Sequence, residues 1–278
     1  MRTRALLAFD ASGVSGALLG WTFGGTRIRG FARAALSPGA LLPSALEPNI
    51  ASLPEVRDAV ARVAAELAIG RNGVTVVAPQ GVARLLLLDD LPSGVDPVEF
   101  ARYRFSDLPY PASEAVVDVL PVRGGRAVAA AVRRPVVEDY EAVVSAAGLE
   151  QERLDLTSLA ALAGLLKDSP GDDLVLDVIL GDVAFTMAAH RDGVLSVLRH
   201  RRRDRRDGEP ERLHAEAERT AARAGAPMGR LRVVGAGARA LLREWKSAGL
   251  PATAGWEAEG AGVPHDAAEV PWLGALLA

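Results

Sequence analysis

The chain contains no cysteine, which excludes disulfides, thiolate metal sites and a cysteine nucleophile. Aromatic residues are scarce at 5%, although 49% of the 278 residues are hydrophobic. The apolar content is therefore mostly Ala, Val and Leu, a composition suited to layered α/β packing. His190, His200, His214 and His265 show no metal-ligand spacing of the H-E-x-x-H kind. Apolar runs fall short of the roughly 18 residues that a membrane-spanning helix needs. Asp10 arrives too early for a secretory signal, so a cytoplasmic setting is expected. Charge of one sign is lacking as well. The net charge of −3 gives a nucleic-acid partner no global electrostatic support.

What is present is densest between Gly73 and Leu149. An apolar run from Val74 to Ala78 stops at Pro79-Gln80-Gly81, and a second, Arg84 to Leu88, ends at Asp89-Asp90-Leu91-Pro92. Asp96-Pro97 opens a helical piece through Phe105, cut off by Leu108-Pro109-Tyr110-Pro111. Two strand-like runs, Ala115 to Val119 and Arg126 to Val132, lead into a helix from Pro135 to Ala147 that Gly148 closes. The order is β, β, α, β, β, α. Phe100, Tyr103 and Tyr110, with Arg102 and Arg104, are either the core of a small subdomain or anchors of a peptide groove on stiff backbone.

Around this stretch the signals are simpler. Ala5 to Trp21 reads as a hairpin with a polar tip at Asp10, Ser12 and Ser15, followed by a third strand over Arg27 to Ala34 after a Gly24-Gly25 turn. Ser37 to Ser52 is a surface loop. Ser52 is expected to cap a helix with Pro54 in its first turn, Val56, Val60, Val63 and Leu67 on one face, and Gly70 as its stop. A short strand at Leu154 to Leu156 precedes a helix capped at Thr157 or Ser158, and Asp168 to Asp173 is a linker. Strands from Leu174 and through Val194 to Leu198 flank an Arg191-Asp192-Gly193 turn. Arg199 to Asp207 is the one dense charge run, expected as a solvated loop, with contact to anionic lipid as the functional alternative. Leu231 to Leu242 is strand, glycine turn and helix. Its Gly235-Ala236-Gly237-Ala238-Arg239-Ala240 also fits a loose dinucleotide fingerprint, with Glu257 or Glu259 placed for a ribose contact.

In their order, Ala78-Pro79-Gln80-Gly81, Leu91-Pro92, Asp107-Leu108-Pro109-Tyr110-Pro111, Ala131-Val132-Arg133-Arg134-Pro135-Val136 and Ala146-Ala147-Gly148-Leu149 resemble the middle of the PilM family, actin-like cytoplasmic proteins of type IV pilus assembly. The resemblance implies an α/β, actin-like (ribonuclease H-like) fold of two lobes. Residues 1–81 and 149–168 would form the first lobe, 82–148 an inserted small α+β subdomain, and 169–278 a reduced second lobe whose C-terminal helix packs back. The nucleotide motifs of such a fold are degenerate here. Asp10, Ser12 and Ser15 remain of the first phosphate loop, without its glycine or its basic residue. Counting back from Arg191-Asp192-Gly193 places the second loop's glycine at Gly181 and its aspartate at Ile179, with Asp177 available only in a shifted register. Gly235 and Gly237 stand at the adenosine loop.

The resemblance thus implies a non-catalytic scaffold with no cofactor, ATP–Mg²⁺ in a degenerate cleft being left open. Its partner would be the N-terminal cytoplasmic peptide of a PilN-like bitopic inner-membrane protein, held near Arg102, Tyr103, Leu108 and Tyr110. It would sit peripherally at the inner face of the inner membrane and bind no nucleic acid. The alternatives are an ATP-binding switch of the same fold, a type II secretion component, and an NAD(P)-linked enzyme using Gly235 and Gly237.

Overall fold

The computed structural model describes residues 3–22, 25–70, 73–167, 171–204, 208–255, 270 and 272. The chain opens as an antiparallel meander of β1 (Thr3–Asp10), β2 (Gly13–Thr22) and β3 (Gly25–Ala35). Thr22 pairs with Gly25, so β3 starts earlier than expected, and Gly24 of the expected turn lies outside the described residues. After a loop and α1 (Leu53–Glu66) the chain returns as β4 (Gly73–Ala78), parallel to β1. A later strand, β8 (Glu150–Leu156), adds parallel to β4 and completes a sheet ordered β3-β2-β1-β4-β8. Strand alternation sorts the side chains of β1. Ala5, Leu7 and Phe9 enter the core beneath α1, while Leu6 and Ala8 face the opposite layer.

The helix α1 buries Val56, Val60 and Val63, the expected face. Ser52 holds the N-cap position but makes no side-chain cap; only its carbonyl accepts, from the Val56 N–H. The helix also ends before Gly70, because Ala68 turns the chain at φ +50°.

Between β4 and β8 the chain builds β5 (Ala83–Leu88), α2 (Pro97–Arg104), β6 (Ala115–Val122), β7 (Arg126–Arg133) and α3 (Arg134–Ala146). Asp96 caps α2 through the N–H groups of Val98 and Glu99, as its Asp-Pro start predicts. The three strands form an antiparallel sheet, β5-β7-β6, with α2 on one face. The helix α3 does not belong to this insertion. Its Val136, Tyr140, Val143 and Val144 enter the first-lobe core, where Phe9 and Tyr140 meet edge to face at 5.2 Å. The expected boundary at 148 therefore falls at the end of β7, since the apolar face of α3 covers the main sheet beside α1.

The helix α4 (Thr157–Lys167) leads across to the second lobe. Thr157 opens it, but its hydroxyl donates to the Ala78 carbonyl of β4 at 3.0 Å instead of capping the helix. The second lobe runs β9 (Val175–Leu180), β10 (Ala184–Arg191), β11 (Val194–Arg202), α5 (Glu209–Arg223), β12 (Arg230–Gly235), α6 (Ala238–Ser247) and β13 (Ala252–Ala254). Its sheet order, β11-β10-β9-β12-β13, repeats that of the first: a meander followed by two parallel strands. No repeat in the amino-acid sequence announces this duplication. Among the described residues the connection from β11 to β12 carries α5 alone, just as the connection from β3 to β4 carries α1. Trp272 stacks on Phe31 at 6.1 Å, which returns the chain to the first lobe. The expected terminal helix beyond it lies outside the described residues.

One buried cluster holds the second sheet to α4. Arg232 of β12 donates to both carboxylate oxygens of Asp177 on β9, at 2.6 and 2.9 Å, and to the Leu165 carbonyl at 2.9 Å. His190 on β10 lies 2.9 Å from the same carboxylate, and all three side chains are almost wholly buried. Burial pulls the Asp177 pKa up, but the His190 hydrogen bond and the Arg232 charge outweigh it and the net direction is down. Asp177→Ala is expected to cost about 3–5 kcal/mol by stranding a buried guanidinium. In urea unfolding, Asp177→Leu combined with Arg232→Met should recover most of that loss.

Candidate functional site

Two concave regions stand where function is expected: the cleft between the lobes and a groove beside the inserted subdomain. The cleft, about 280 Å³, is bounded by the β1–β2 turn, the Pro79-Gln80 turn, the β9–β10 turn and the Gly235–Gly237 turn. At the first of these, Gly13 lets the backbone of β3 pass close, because a Cβ there would lie 2.6 Å from the Ala34 carbonyl oxygen. Asp10 accepts the Ser12 N–H at 2.8 Å and the Ser12 hydroxyl, and Arg33 reaches Ser12 Oγ at 2.7 Å and Asp10 at 3.4 Å. Ser15 is buried in β2, paired with Arg33 across the strands. The Ala11 N–H, an amide such a turn offers to phosphate, donates instead to Asp182 of the second lobe at 3.1 Å. Arg33 and Asp182 escaped the sequence reading: one lies 23 residues from Asp10 and the other on the wrong side of the loop glycine.

The second turn is similarly self-satisfied. The Gly181 N–H closes its own turn on the Ala184 carbonyl at 2.8 Å. Ile179, at the expected aspartate position, is fully buried among apolar side chains. Asp177, the shifted-register candidate, is committed to Arg232 inside the lobe and does not line the cleft. Gly235 has φ +105°, and a Cβ on it would stand 2.0 Å from the Leu180 carbonyl oxygen, so this glycine permits two strand ends to touch. Gly237, at φ +80°, occupies the N-cap of α6. The space between the two glycine turns is bridged by Arg203, which donates to the carbonyls of Gly181 and Ala236 at 2.7 and 2.6 Å and to Glu209 at 2.7 Å.

Arg203 corrects in part the expectation of a solvated charge run, of which Arg201, Arg202 and Asp204 are exposed and residues 205–207 lie outside the described residues. Arg199 through Arg202 belong to β11, and Arg199 and Arg201 pair with Glu216 at 2.5 and 2.9 Å. Strand pairing with β10 and one buried glutamate hold what the composition marks as a loop. The dinucleotide reading fares no better. Its glycine turn accepts a hydrogen bond from Arg203 and follows the fourth strand of the second lobe instead of opening a domain, while Glu257 and Glu259 lie outside the described residues.

The groove, about 380 Å³, separates the free face of the inserted sheet from β8 and α4. Val116 and Leu120 of β6, Ala130 and Val132 of β7, and Leu154 and Leu156 of β8 give it apolar walls. Polar groups stand at Asp118 and in the Arg153–Asp155 pair at 3.2 Å. Among the described residues both β6 and β8 are edge strands of their sheets, so each offers backbone donors and acceptors that no described strand pairs.

The four residues expected to hold a peptide lie elsewhere. In β7, Ala127, Ala129 and Ala131 point toward α2, so everything packed there is on the face away from the groove. Tyr110 is buried in that core, and its hydroxyl has no hydrogen-bond partner among the described residues. Burial pushes its pKa up to about 12 against the charges of Arg84 and Arg133. Leu108 packs on the same cluster, Arg102 pairs with Glu99 at 3.7 Å, and Tyr103 is 83% exposed. The strand alternation of β6 was the available signal for the groove; it separates two faces without saying which is covered.

The paired sheets, the cleft between them and the inserted subdomain define an actin-like fold. Its solved relatives bear this out. The chain is similar over 99% of its length, and 96% of the other's, to a protein of the PilM-PilN type IV pilus biogenesis complex, with TM-score 0.72 and 17% identity. A Bacteroides thetaiotaomicron protein with an actin-like ATPase fold matches with TM-score 0.58 at 9% identity, covering 88% of this chain and 87% of that one. The cytoplasmic domain of EpsL, an inner-membrane component of the Vibrio cholerae type II secretion system, matches with TM-score 0.52 at 11% identity, covering 83% and 81%. No protein-family model and no curated protein sequence matches the chain.

Where the lobes meet, Gln80 is buried and bonds to two elements of the second lobe. Its amide donates to the Ile179 carbonyl at 3.2 Å, and it accepts the Thr186 hydroxyl at 2.9 Å. His200 lies 2.9 Å from the same hydroxyl. Burial, joined by the Arg84 charge, pushes the His200 pKa from 6.5 down to about 4. A depressed histidine favours the fold when neutral, so its contribution is complete above about pH 6.5 and is lost as pH falls toward 4. With allowance for its partial solvent contact, roughly 2 kcal/mol is at stake. Urea unfolding at pH 7 and pH 4.5 should show a smaller acid loss for His200→Gln than for the parent chain.

Proposed function

We propose that the chain is a non-catalytic scaffold of type IV pilus assembly, whose groove receives an extended tail of a PilN-like inner-membrane protein. The carrying observation is the groove itself, an apolar channel bordered by two strand edges that are unpaired among the described residues, in a fold similar over 99% of its length to a protein of the PilM-PilN complex. A tail entering as a strand gains main-chain hydrogen bonds from an edge, while alternate side chains fill the apolar walls. The preformed groove lowers the ordering cost of a flexible tail. Among the described residues no helix is long and apolar enough to cross a membrane, so attachment to the inner face of the membrane would come through the partner. Similarity to the EpsL cytoplasmic domain supports the same role in a type II secretion setting as the second reading.

The cleft supports a scaffold over a hydrolase. Magnesium-bound ATP needs a carboxylate at the second loop and free amides at the first. This chain has Ile179 at the one, and gives the Ala11 amide to Asp182 at the other. Arg203 bridges the glycine turns that would approach a nucleotide. The residues do not fit that ligand.

Two measurements test the proposal. A synthetic peptide with the sequence of a PilN-like protein's N-terminal cytoplasmic tail should bind in fluorescence anisotropy. Val116→Glu or Leu120→Glu should weaken it at least about tenfold, while Tyr103→Ala, on the opposite face, should leave it unchanged. Calorimetric titration with Mg-ATP should give no micromolar binding, and no phosphate should be released. Tail binding insensitive to the groove variants, or measurable phosphate release, would overturn the reading.

A further inference from the structure

The loop between β3 and α1 is braced more firmly than a surface connection requires. Asn49 is fully buried, and its side-chain amide donates to the carbonyls of Ser44 and Glu47 at 2.8 and 3.0 Å. Its Oδ1 accepts the Ser44 N–H at 3.1 Å and the Tyr140 hydroxyl at 3.3 Å, and its backbone N–H donates to Asp139 at 2.8 Å. Arg133 fixes the Leu46 carbonyl. Yet this fixed loop turns Leu42 and Leu46 to solvent, 54% and 40% exposed. Large apolar side chains held rigid at the surface are the form that binding anchors take.

These leucines border a depression of about 510 Å³ that crosses from the first lobe to the second, with Pro109, Val183, Arg84 and Arg202 among its lining. It shares Arg84 and His200 with an adjoining hollow of about 190 Å³ beside Arg104 and Phe105. The two hollows carry Arg84, Arg104, Arg201 and Arg202 against Glu47 and Asp107, a local positive excess on a chain of net charge −3. Arg201 is engaged by Glu216, and Arg104 lies 5.7 Å over the Phe100 ring. Among the described residues, neither Arg84 nor Arg202 has a carboxylate within ion-pairing distance.

We propose that this face docks an acidic segment of a partner protein, its apolar side chains on Leu42 and Leu46 and its carboxylates at Arg84 and Arg202. The concavity favours a chain over a lipid surface, since a bilayer cannot follow two joined hollows. The site shares no lining residue with the groove, so it does not depend on the tail-binding reading.

The test uses the full chain and a labelled synthetic peptide alternating glutamate with leucine, read by fluorescence anisotropy. A lysine-for-glutamate version and phosphatidylglycerol vesicles serve as the other arms. The acidic peptide should bind, more weakly as salt rises. Arg84→Glu with Arg202→Glu, and separately Leu42→Ser with Leu46→Ser, should each lower affinity at least about tenfold. These positions are exposed, so the melting temperature should hold, and Leu120→Glu in the groove should leave this binding intact. Equal binding of the lysine peptide, or loss of binding through Leu120→Glu alone, overturns the proposal. So does vesicle sedimentation that the arginine variants abolish while the acidic peptide fails to bind.

Discussion

The structure depends on one turn of the first lobe seating itself in the second. Pro79, Gln80 and Gly81 follow β4 directly, and Gln80 is fixed on both sides of its amide by Ile179 and Thr186. The fit is tight enough to dictate residues on both partners. A Cβ on Gly181 would lie 2.6 Å from the Gln80 amide nitrogen, and one on Gly81 would lie 2.3 Å from a Val183 methyl. Two glycines, one per lobe, therefore let two turns interlock. A buried amide with one bond missing costs about 1–3 kcal/mol, so lobe separation here is opposed by hydrogen bonding and by packing together.

That interlock explains the character of the cleft. An actin-like cleft works as a nucleotide site by leaving amides and small residues unsatisfied until a phosphate arrives. Here the protein supplies the partners itself. Asp182 takes the Ala11 amide, Arg33 engages Asp10 and Ser12, and Arg203 links the carbonyls of Gly181 and Ala236. Each is an internal contact at a turn that lines the cleft, and the Ala11–Asp182 bond is the one of the three that joins the lobes. A bound anion would first have to displace these contacts, and only a ligand preferring one arrangement of the lobes can shift their equilibrium.

The order of elements was legible because turn chemistry punctuates it. Asp96-Pro97, Pro109-Tyr110-Pro111, Gly148 and Arg191-Asp192-Gly193 fall at observed boundaries. Site glycines were legible as positions but not as roles, since a glycine that admits phosphate and one that admits a neighbouring carbonyl look the same in sequence. Arg203 was hidden in a run whose composition marks it as solvated, and only pairing of β11 with β10 carries it inside. The four residues expected to hold a peptide stand away from the groove for a related reason. Rings and arginines on α2 carry the strongest compositional signal in the insertion, yet the apolar members close its own small core. The plainer Val116 and Leu120 of β6 face the groove. Alternation marks two faces, and tertiary packing alone decides which stays open.

The two recesses differ in what they report. Every residue lining the groove precedes β9, so its shape is set within the first lobe, the insertion and α4. The leucine-and-arginine face joins a first-lobe loop to Val183 and to Arg201 and Arg202 on β11, and His200 at its floor also touches Thr186 of the interlock. A segment bound there contacts both lobes at once. Opening the cleft would pull Leu42 and Leu46 away from Arg202 while leaving the groove walls unchanged. The turn that keeps the cleft closed thus also assembles the second recess, and the first stands without it.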